Sequence, residues 1–270
     1  MQFQFKGRKM SRYFVVVSLA ALLTISVGHA QDGLDLEVIV EEVTAFPGEQ
    51  NVVISIYMKN YHDSVAGFNM WLILDRPDIM EFQIVLDTTG TLISGWEFMG
   101  TNSPGGLGHD LAFFAMSNSM PPYTNAIDYP QYGEIPLVKL IADVYDIPDT
   151  MTDRTVNIHV VTEPLNNFCF SDPYGYSCIG YVEGELDTTK VTITDGSLTV
   201  LVPVCGDIDG SGGNPNVADL TYFVEYLFFE GPPPPVIEMA NVDGDNGINV
   251  VDLIYLVDFL FFDGPAPDCP

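Results

Sequence analysis

The chain has 270 residues, of which 37 are aspartate or glutamate and nine are lysine or arginine, giving a formal net charge of −28. Such an excess of negative charge argues against nucleic acids and anionic membrane surfaces as partners, because both are negatively charged themselves. All of the acidic residues lie after residue 30, whereas four of the nine cations lie before residue 13.

The first 30 residues have the composition of a secretory signal peptide. Basic residues up to Arg12 precede an apolar run over 13–27, and Gly28-His29-Ala30 places small residues at the −3 and −1 positions. The apolar run is shorter than the roughly 20 residues that a membrane-spanning helix needs. We therefore expect cleavage after Ala30 and a secreted or cell-surface protein.

Residues 31–202 alternate between apolar and polar side chains with the period of two that is typical of β-strands. The clearest examples are 34–40, 52–58 and 66–74, and turn signals such as Asp195-Gly196 separate the segments. Nine or ten short strands with no helix between them predict a mainly β fold, a jelly-roll-like antiparallel β-sandwich.

Several segments of this domain resemble a cohesin module in their order along the chain. Ala45-Phe46-Pro47-Gly48 follows the first strand, and Gly67-Phe68 opens a strand that ends in Leu74-Asp75-Arg76-Pro77. Gly133–Val144 and Asp195–Val200 match the closing strands. The resemblance implies a cohesin-like sandwich over 31–202. Similar patterns occur in other jelly-roll sandwiches, including carbohydrate-binding modules, so that alternative stays open.

Motifs of catalysis are absent from the sequence. There is no nucleophile elbow, HExxH motif, Cys–His pair or glycine-rich phosphate loop, and His62, His109 and His159 are widely separated. With 37 acidic residues, carboxylate pairs like those of glycoside hydrolases arise by chance. We therefore expect no enzyme activity. Some aromatic residues could stack on sugar rings, namely Trp71, Trp96, Tyr123, Tyr129, Tyr132, Tyr174 and Tyr176. For the two tryptophans, packing in the core is the favoured interpretation.

The four cysteines form two natural pairs, as expected of a secreted chain with an even number of them. Cys169 and Cys178 can close a small loop, and Cys205 and Cys269 bracket residues 203–270 at both ends. A Cys205–Cys269 bridge would support a module too small to depend on its core alone. Free or metal-bound thiols are the alternative, which no CxxC motif favours.

Residues 203–270 contain a duplicated unit. Aligning 216–234 with 249–267 gives twelve identities in nineteen positions at a spacing of 33 residues, which indicates a repeated supersecondary structure. In each copy a loop rich in oxygen-bearing side chains precedes an apolar helix, predicted over 219–229 and over 252–262. The sequence thus predicts a small all-α module after the sandwich.

The second loop has oxygen-bearing side chains at positions 1, 3, 5, 9 and 12, which is the spacing of an EF-hand calcium loop. Calcium takes roughly six to eight oxygen ligands. The expected ligands are Asn241, Asp243, Asp245, Asn249 and Asp252, together with the backbone carbonyl of Gly247.

The first loop is longer by one residue, and Ser211 stands where a carboxylate is usual, so we expect the weaker of two Ca²⁺ sites here. The expected ligands are Asp207, Asp209, Ser211, Asn216 and Asp219, with a carbonyl near Gly213. Asp-x-Asp-Gly strings also form plain turns. Two of them in register with two equivalent helices favour calcium.

This arrangement over 205–270 resembles the dockerin module, a duplicated loop-and-helix unit that binds cohesins and has two EF-hand-type calcium loops. One departure is evident. Familiar dockerins have polar residues at loop positions 10 and 11, where this chain has Val217-Ala218 and Val250-Val251. The resemblance therefore implies a cohesin-bearing partner without implying which one.

Both predicted helices are apolar on nearly all sides, and a module of this size cannot bury all of that surface. The remainder should form a protein interface. Its partner could be the sandwich of the same chain, the sandwich of another copy, or a separate cohesin- or dockerin-bearing protein.

The sequence thus favours a secreted, calcium-dependent assembly protein, part of an extracellular polysaccharide-processing or cell-surface complex. One alternative is a carbohydrate-binding sandwich that is tethered by its repeat. A dockerin-bearing glycoside hydrolase is a less favoured alternative.

Overall fold

The computed structural model describes residues 34–61, 63–106, 108–118, 125–148, 151–174, 177–245 and 247–269. The predicted signal peptide, residues 1–30, lies outside the described residues. So do three residues considered above, namely His62, Tyr123 and Tyr176.

Fourteen strands are present in the described part of the chain. In chain order they are β1 (Leu36–Val40), β2 (Glu42–Ala45), β3 (Val52–Asn60), β4 (Gly67–Leu74), β5 (Met80–Asp87), β6 (Phe98–Asn102), β7 (Asp110–Met116), β8 (Gln131–Val144), β9 (Thr155–Val160), β10 (Phe168–Ser171), β11 (Tyr181–Val182), β12 (Glu185–Leu186), β13 (Val191–Thr194) and β14 (Gly196–Val200). A short 3₁₀ helix, Leu165–Asn167, precedes β10.

Two sheets stack into a sandwich, so the mainly β prediction is confirmed. Sheet A has the order β13-β1-β3-β8-β5, and sheet B has the order β2-β14-β9-β4-β7-β6, with β10 paired to β4. The inward residues of both sheets form a single core, in which Leu36, Val38 and Val40 of β1 are buried. Alternation along each strand explains this, because every second side chain points at the facing sheet.

The expectation of a wholly antiparallel sandwich is wrong at one edge. β1 pairs in parallel with β13, and β2 pairs in parallel with β14. The first segment passes from sheet A to sheet B at Glu41, and the last segment makes the same crossing at Asp195. The sequence analysis missed β2 and β10 because each has only four residues, too few to show a clear alternation.

Gly196 lies where these two crossing segments meet. A Cβ atom at this position would lie 2.5 Å from Val40 Cγ1 and 2.6 Å from the Glu41 carbonyl oxygen. Glycine is therefore required for the two segments to pass from sheet to sheet side by side.

The C-terminal module has a separate core. Its helices are α1 (Val217–Phe228) and α2 (Val250–Phe261), with a 3₁₀ turn at Ile237–Ala240. Both helices begin two residues earlier than the sequence analysis expects, because Asn216 and Asn249 are their N-caps. The buried apolar residues are Ile208, Phe223, Ala240, Val242 and Leu256.

Both expected cysteine pairs are disulfides in the structure. Cys169–Cys178 joins the end of β10 to the segment before β11, and Cys205–Cys269 joins the two ends of the module with a Cα–Cα distance of 5.5 Å. Next to the second bridge, the Asp268 backbone N–H donates to the Val242 carbonyl at 3.0 Å. The module is therefore a closed unit with its own covalent link.

We predict that Gly196→Ala destabilises the sandwich by about 1–3 kcal/mol, because the new methyl group overlaps Val40 and Glu41. Ser197→Ala, on the next residue of the same strand, is the control and should change the unfolding free energy by less than about 0.5 kcal/mol. Denaturant unfolding followed by tryptophan fluorescence measures this directly, since Trp71 and Trp96, the only tryptophans, lie in this domain. Equal stability of the two variants would contradict the assignment.

Candidate metal centre

The two loops of the repeat end in the same way. Asp219 Oδ2 accepts a hydrogen bond from the Asn216 backbone N–H at 2.8 Å, and Asp252 Oδ2 accepts one from Asn249 at 2.8 Å. Each asparagine caps its helix in return, so both helices begin with a reciprocal capping box. The carboxylate of the third helical residue is thus fixed facing the loop in both copies.

In the first loop three carboxylates converge. Oxygens of Asp207, Asp209 and Asp219 lie within 4.8 Å of one another, and this is the only such group among the described residues. Asp207 and Asp219 are buried. The backbone N–H groups of Ile208 and Asp209 both donate to Asp219 Oδ1, at 2.8 and 3.1 Å. The loop backbone therefore fixes the Asp219 carboxylate facing the loop.

This arrangement disfavours the ionised forms of the carboxyl groups. Burial, with the nearby charge of Asp219, raises the pKa of Asp207 to about 6. Burial also raises the pKa of Asp219 and, in the second loop, of Asp252. Groups whose ionised forms are disfavoured in this way bind a divalent cation readily, since the ion supplies the missing positive charge.

The other predicted ligands of the first loop lie at its surface. The Ser211 backbone N–H donates to Asp209 Oδ1 at 2.9 Å, and Gly213 is exposed. Asn216 Oδ1 accepts a hydrogen bond from the Ala218 N–H at 2.7 Å as the cap. These residues close the loop around the three carboxylates.

In the second loop the most informative atom is Asn241 Oδ1. It is buried and accepts no hydrogen bond from any described residue, although Asn241 Nδ2 donates to the Asp245 carbonyl at 2.8 Å. A buried acceptor without a donor is costly unless something else satisfies it. Asn241 is the first predicted ligand of this loop, so a cation at the loop centre would satisfy that oxygen.

The remaining second-loop residues surround the same centre. The Asp243 N–H donates to Asp252 Oδ1 at 3.4 Å, and the Gly247 N–H donates to Asp245 Oδ1 at 2.8 Å. Asn249 Oδ1 accepts from the Val251 N–H at 2.8 Å. Asp245 is exposed, as is Ser211 at the same position of the first loop. The first position of each loop is buried, but it is a carboxylate, Asp207, in the first loop and an amide, Asn241, in the second. The first loop thus has the more convergent carboxylates, although the sequence analysis ranks the second loop higher.

A glycine occupies the fourth position of each loop for a conformational reason. Gly210 has φ +69° and Gly244 has φ +68°, which other residues rarely adopt. A Cβ at Gly244 would also lie 2.6 Å from the Asp268 carbonyl oxygen. These two glycines turn the chain so that the residues before and after them face one centre.

The donor set of both loops fits Ca²⁺. It consists of carboxylate, amide and carbonyl oxygens with no nitrogen or sulfur ligand, which is the chemistry of a hard divalent cation. Asp207, Asp209 and Asp219 would hold the ion in the first loop, and Asn241, Asp243 and Asp252 in the second. When bound, the ion would neutralise the buried carboxylates and order the loop before each helix.

Two further surfaces stand out. On the outer side of sheet B, the register places Phe98 beside Met116, Gly100 beside Phe114, and Ala112 beside Trp71. We call the exposed or half-buried residues Trp71, Ile73, Phe98, Phe114 and Met116 the sheet B face. The sequence analysis missed it as a site. The signal was available, because 111–116 is apolar at consecutive positions and so on both sides of the strand.

The second surface lies on the helices, as the sequence predicts. Phe229 is 73 % exposed and Phe262 is 72 % exposed at the two helix ends. The other exposed apolar residues on this surface are Val217, Phe228, Val250, Val251, Ile254 and Phe261. We call these eight residues the helix face.

The candidate sugar-stacking residues are scattered. Trp96 is buried against Phe68, and Trp71 donates its Nε1–H to the buried Asp110 at 2.9 Å. Tyr129, Tyr132 and Tyr174 are exposed, and Tyr132 lies near Tyr61, at 6.2 Å between ring centroids. His159 Nδ1 lies 2.8 Å from Asp195 Oδ2 on an exposed strand surface.

Comparisons with known proteins return solved structures only. No family model and no curated protein matches the chain. A chain of a type I cohesin–dockerin complex from Clostridium thermocellum is 14% identical over 62% of this chain and 99% of its own, with a TM-score of 0.45. A non-cellulosomal cohesin from Archaeoglobus fulgidus is 15% identical over 62% and 92%, with a TM-score of 0.42. CaCohA2 from Clostridium acetobutylicum is 14% identical over 62% and 92%, with a TM-score of 0.41.

The structural neighbours are therefore cohesin modules. None of the described helices is long and apolar enough to cross a membrane.

We predict that a chelator lowers the unfolding temperature of the C-terminal module and leaves the sandwich unchanged, because the two domains have separate cores. Calcium at about a hundred times its dissociation constant should stabilise a loop by roughly 2.7 kcal/mol. Scanning calorimetry of the full chain should show this, with tryptophan fluorescence reporting the sandwich alone. The variant Asp219→Ala with Asp252→Ala should resemble the chelated protein. A module that melts identically with and without calcium would contradict the site.

We predict that calcium affinity at the first loop falls as the pH is lowered through about 6, because a proton then occupies the Asp207 carboxyl group, whose pKa is about 6. The decrease approaches about tenfold per pH unit once the pH is below this pKa. Titration calorimetry between about pH 7 and pH 5 measures it. Asp207→Asn should remove this part of the pH dependence, and a variant that keeps it would show that another group is responsible.

Proposed function

We propose that this protein is an extracellular assembly protein in which a cohesin-like sandwich is joined to a dockerin-like module that docks to other proteins when it binds two Ca²⁺ ions. The observation that carries the proposal is the combination found in the repeat. Buried carboxylates, which converge in the first loop, lie at the starts of two helices that expose apolar side chains. A monomer that binds no ion and no partner would need neither the buried carboxylates nor the exposed apolar surface.

Calcium would act through the loops on the helices. Asp219 and Asp252 are at once predicted ligands and members of the capping boxes that begin α1 and α2. An ion at either loop therefore fixes the first turn of the following helix. Fixing both helices fixes the positions of the side chains on the helix face, so ion binding and docking should be thermodynamically coupled.

The sandwich contributes the sheet B face as a second docking surface. The opposite outer surface, on sheet A, carries ion pairs such as Lys59–Glu37 and Lys139–Asp87 among exposed apolar residues such as Val53. Sheet B exposes the rings of Phe98 and Phe114 together with Met116, and the register places these residues on neighbouring strands. A contiguous exposed apolar patch marks an interaction surface, and a dockerin-bearing protein is the partner that the sequence resemblance implies.

We infer that the helix face and the sheet B face act in contacts between molecules. The strand register sets Gly196 level with Leu74, and Met116 level with Gly67. Val200, where the chain leaves sheet B, and Met116 therefore lie roughly 35 Å apart along the strands at about 3.3 Å per residue. Only 201–204 link the sandwich to the module, and both surfaces are exposed in the same molecule.

We predict that the full chain binds its partner in calcium and releases it when calcium is chelated. The experiment is a pull-down from secreted proteins with the immobilised full chain, followed by reconstitution of the complex from the purified, identified partner. Asp219→Ala with Asp252→Ala should abolish binding through the module. Undiminished association in excess chelator would contradict the proposal.

The sheet B face has its own variant and control. Phe114→Ser should weaken binding through the sandwich by roughly tenfold or more, as expected for a central aromatic contact. Val53→Ser, at an equally exposed position on sheet A, should leave it unchanged. Both residues point away from the core, so both variants should fold normally.

A further inference from the structure

We propose that the helix face docks to a separate protein whose apolar contact surface is bordered by lysine or arginine, and that a second copy of this chain does not satisfy it. The inference rests on the proposed function, since it describes the partner of the same module. It depends on where the acidic residues lie on the helices and on where the cations of this chain lie.

A groove of about 450 Å³ runs along the outer side of α1. Glu225 is the only charged residue that lines it, and Phe229 is the only aromatic one. The complete lining is Leu220, Thr221, Val224, Glu225, Phe229 and Gly231. A carboxylate at the border of an apolar groove suits a long cationic side chain, whose methylene stem lies on apolar atoms while its charged end reaches the acid.

The second repeat retains this pattern. The residues at the equivalent positions are Leu253, Ile254, Val257, Asp258, Phe262 and Gly264. The backbone after each helix has the same geometry, because the N–H of Gly231 donates to the Glu225 carbonyl and that of Gly264 to the Asp258 carbonyl, each at 2.9 Å. An acid beside a terminal phenylalanine therefore occurs once on each helix.

Nothing in the module neutralises these acids. Residues 203–270 contain twelve aspartates and glutamates and no lysine, arginine or histidine. Calcium would offset the charge of the loops, whereas Glu225 and Asp258 lie on the helices at the predicted interface. A partner that covered them with an apolar surface alone would bury unpaired charges, which is costly. A cation at the border of the partner's surface removes that cost and can also contact the phenylalanine ring.

The sandwich of a second copy does not offer such a border. Four of its five cations are in ion pairs, Lys59 with Glu37, Arg76 with Asp78, Lys139 with Asp87, and Lys190 with Asp35. The fifth, Arg154, is buried and donates to backbone carbonyls. None belongs to the sheet B face. Docking between copies would bring acidic surfaces together without compensation.

The test uses the full chain and three fluorescent peptides of one amphipathic design, with leucine on one side and lysine, glutamine or glutamate on the other. In calcium at low salt, anisotropy should show the lysine peptide bound at least roughly tenfold more tightly than the glutamine peptide, and the glutamate peptide most weakly. Equal affinities for the lysine and glutamine peptides would overturn the inference. Sedimentation in calcium should show a monomer, and self-association through the sheet B face would also overturn it.

Two variants separate docking from bulk charge attraction. Phe229→Ser with Phe262→Ser keeps the net charge and should lose roughly tenfold in affinity for the lysine peptide. Phe114→Ser on the sandwich is the matched control and should lose none. Equal binding by the two variants would show attraction to net charge alone and overturn the inference.

Calorimetry with calcium alone distinguishes failure of the proposed function from failure of this inference. Absence of calcium uptake refutes the proposed function, whereas uptake without a charge preference refutes only this inference.

Discussion

Repulsion among buried carboxylates is the constraint on which the C-terminal module depends. Asp207, Asp209 and Asp219 are held within 4.8 Å of one another by backbone hydrogen bonds, and the module has no cation of its own. One of these acids, Asp219, also belongs to the capping box that begins α1, so the repulsion among the carboxylates and the position of the helix are connected. Under the proposed function a hard divalent ion would relieve that repulsion, because it would stabilise the loop and the first turn of the helix together.

The sandwich is independent of that constraint. Its core does not mix with the core of the module, and four of its five lysines and arginines are in ion pairs within the sandwich. The sandwich and the module approach each other at Gly210, where an added Cβ would lie 3.1 Å from the Phe46 ring. The first loop of the repeat thus packs against the turn after β2.

Much of this could be predicted from the sequence, where local chemistry decides the structure. The strand period predicts the sandwich, and the repeat predicts two equivalent helices with their loops. The parallel pairs at the sheet edge could not be predicted, because β1 and β13 meet only through tertiary packing. The sequence analysis placed both helix starts two residues late, since it treated Asn216 and Asn249 as metal ligands and overlooked their role as caps. The preorganisation of the first loop depends on burial of Asp207, which no spacing reveals.

The parallel pairing of β1 with β13 and of β2 with β14 has a consequence for how the protein folds. Strands at the start of the domain find their neighbours only after more than a hundred intervening residues are available. Such long-range pairing makes folding slow, because the entropy of closing a large loop is lost before the contacts form. The sandwich therefore cannot be completed while its last strands are missing. During synthesis, the two sheets remain incomplete until the chain has been made past Val200.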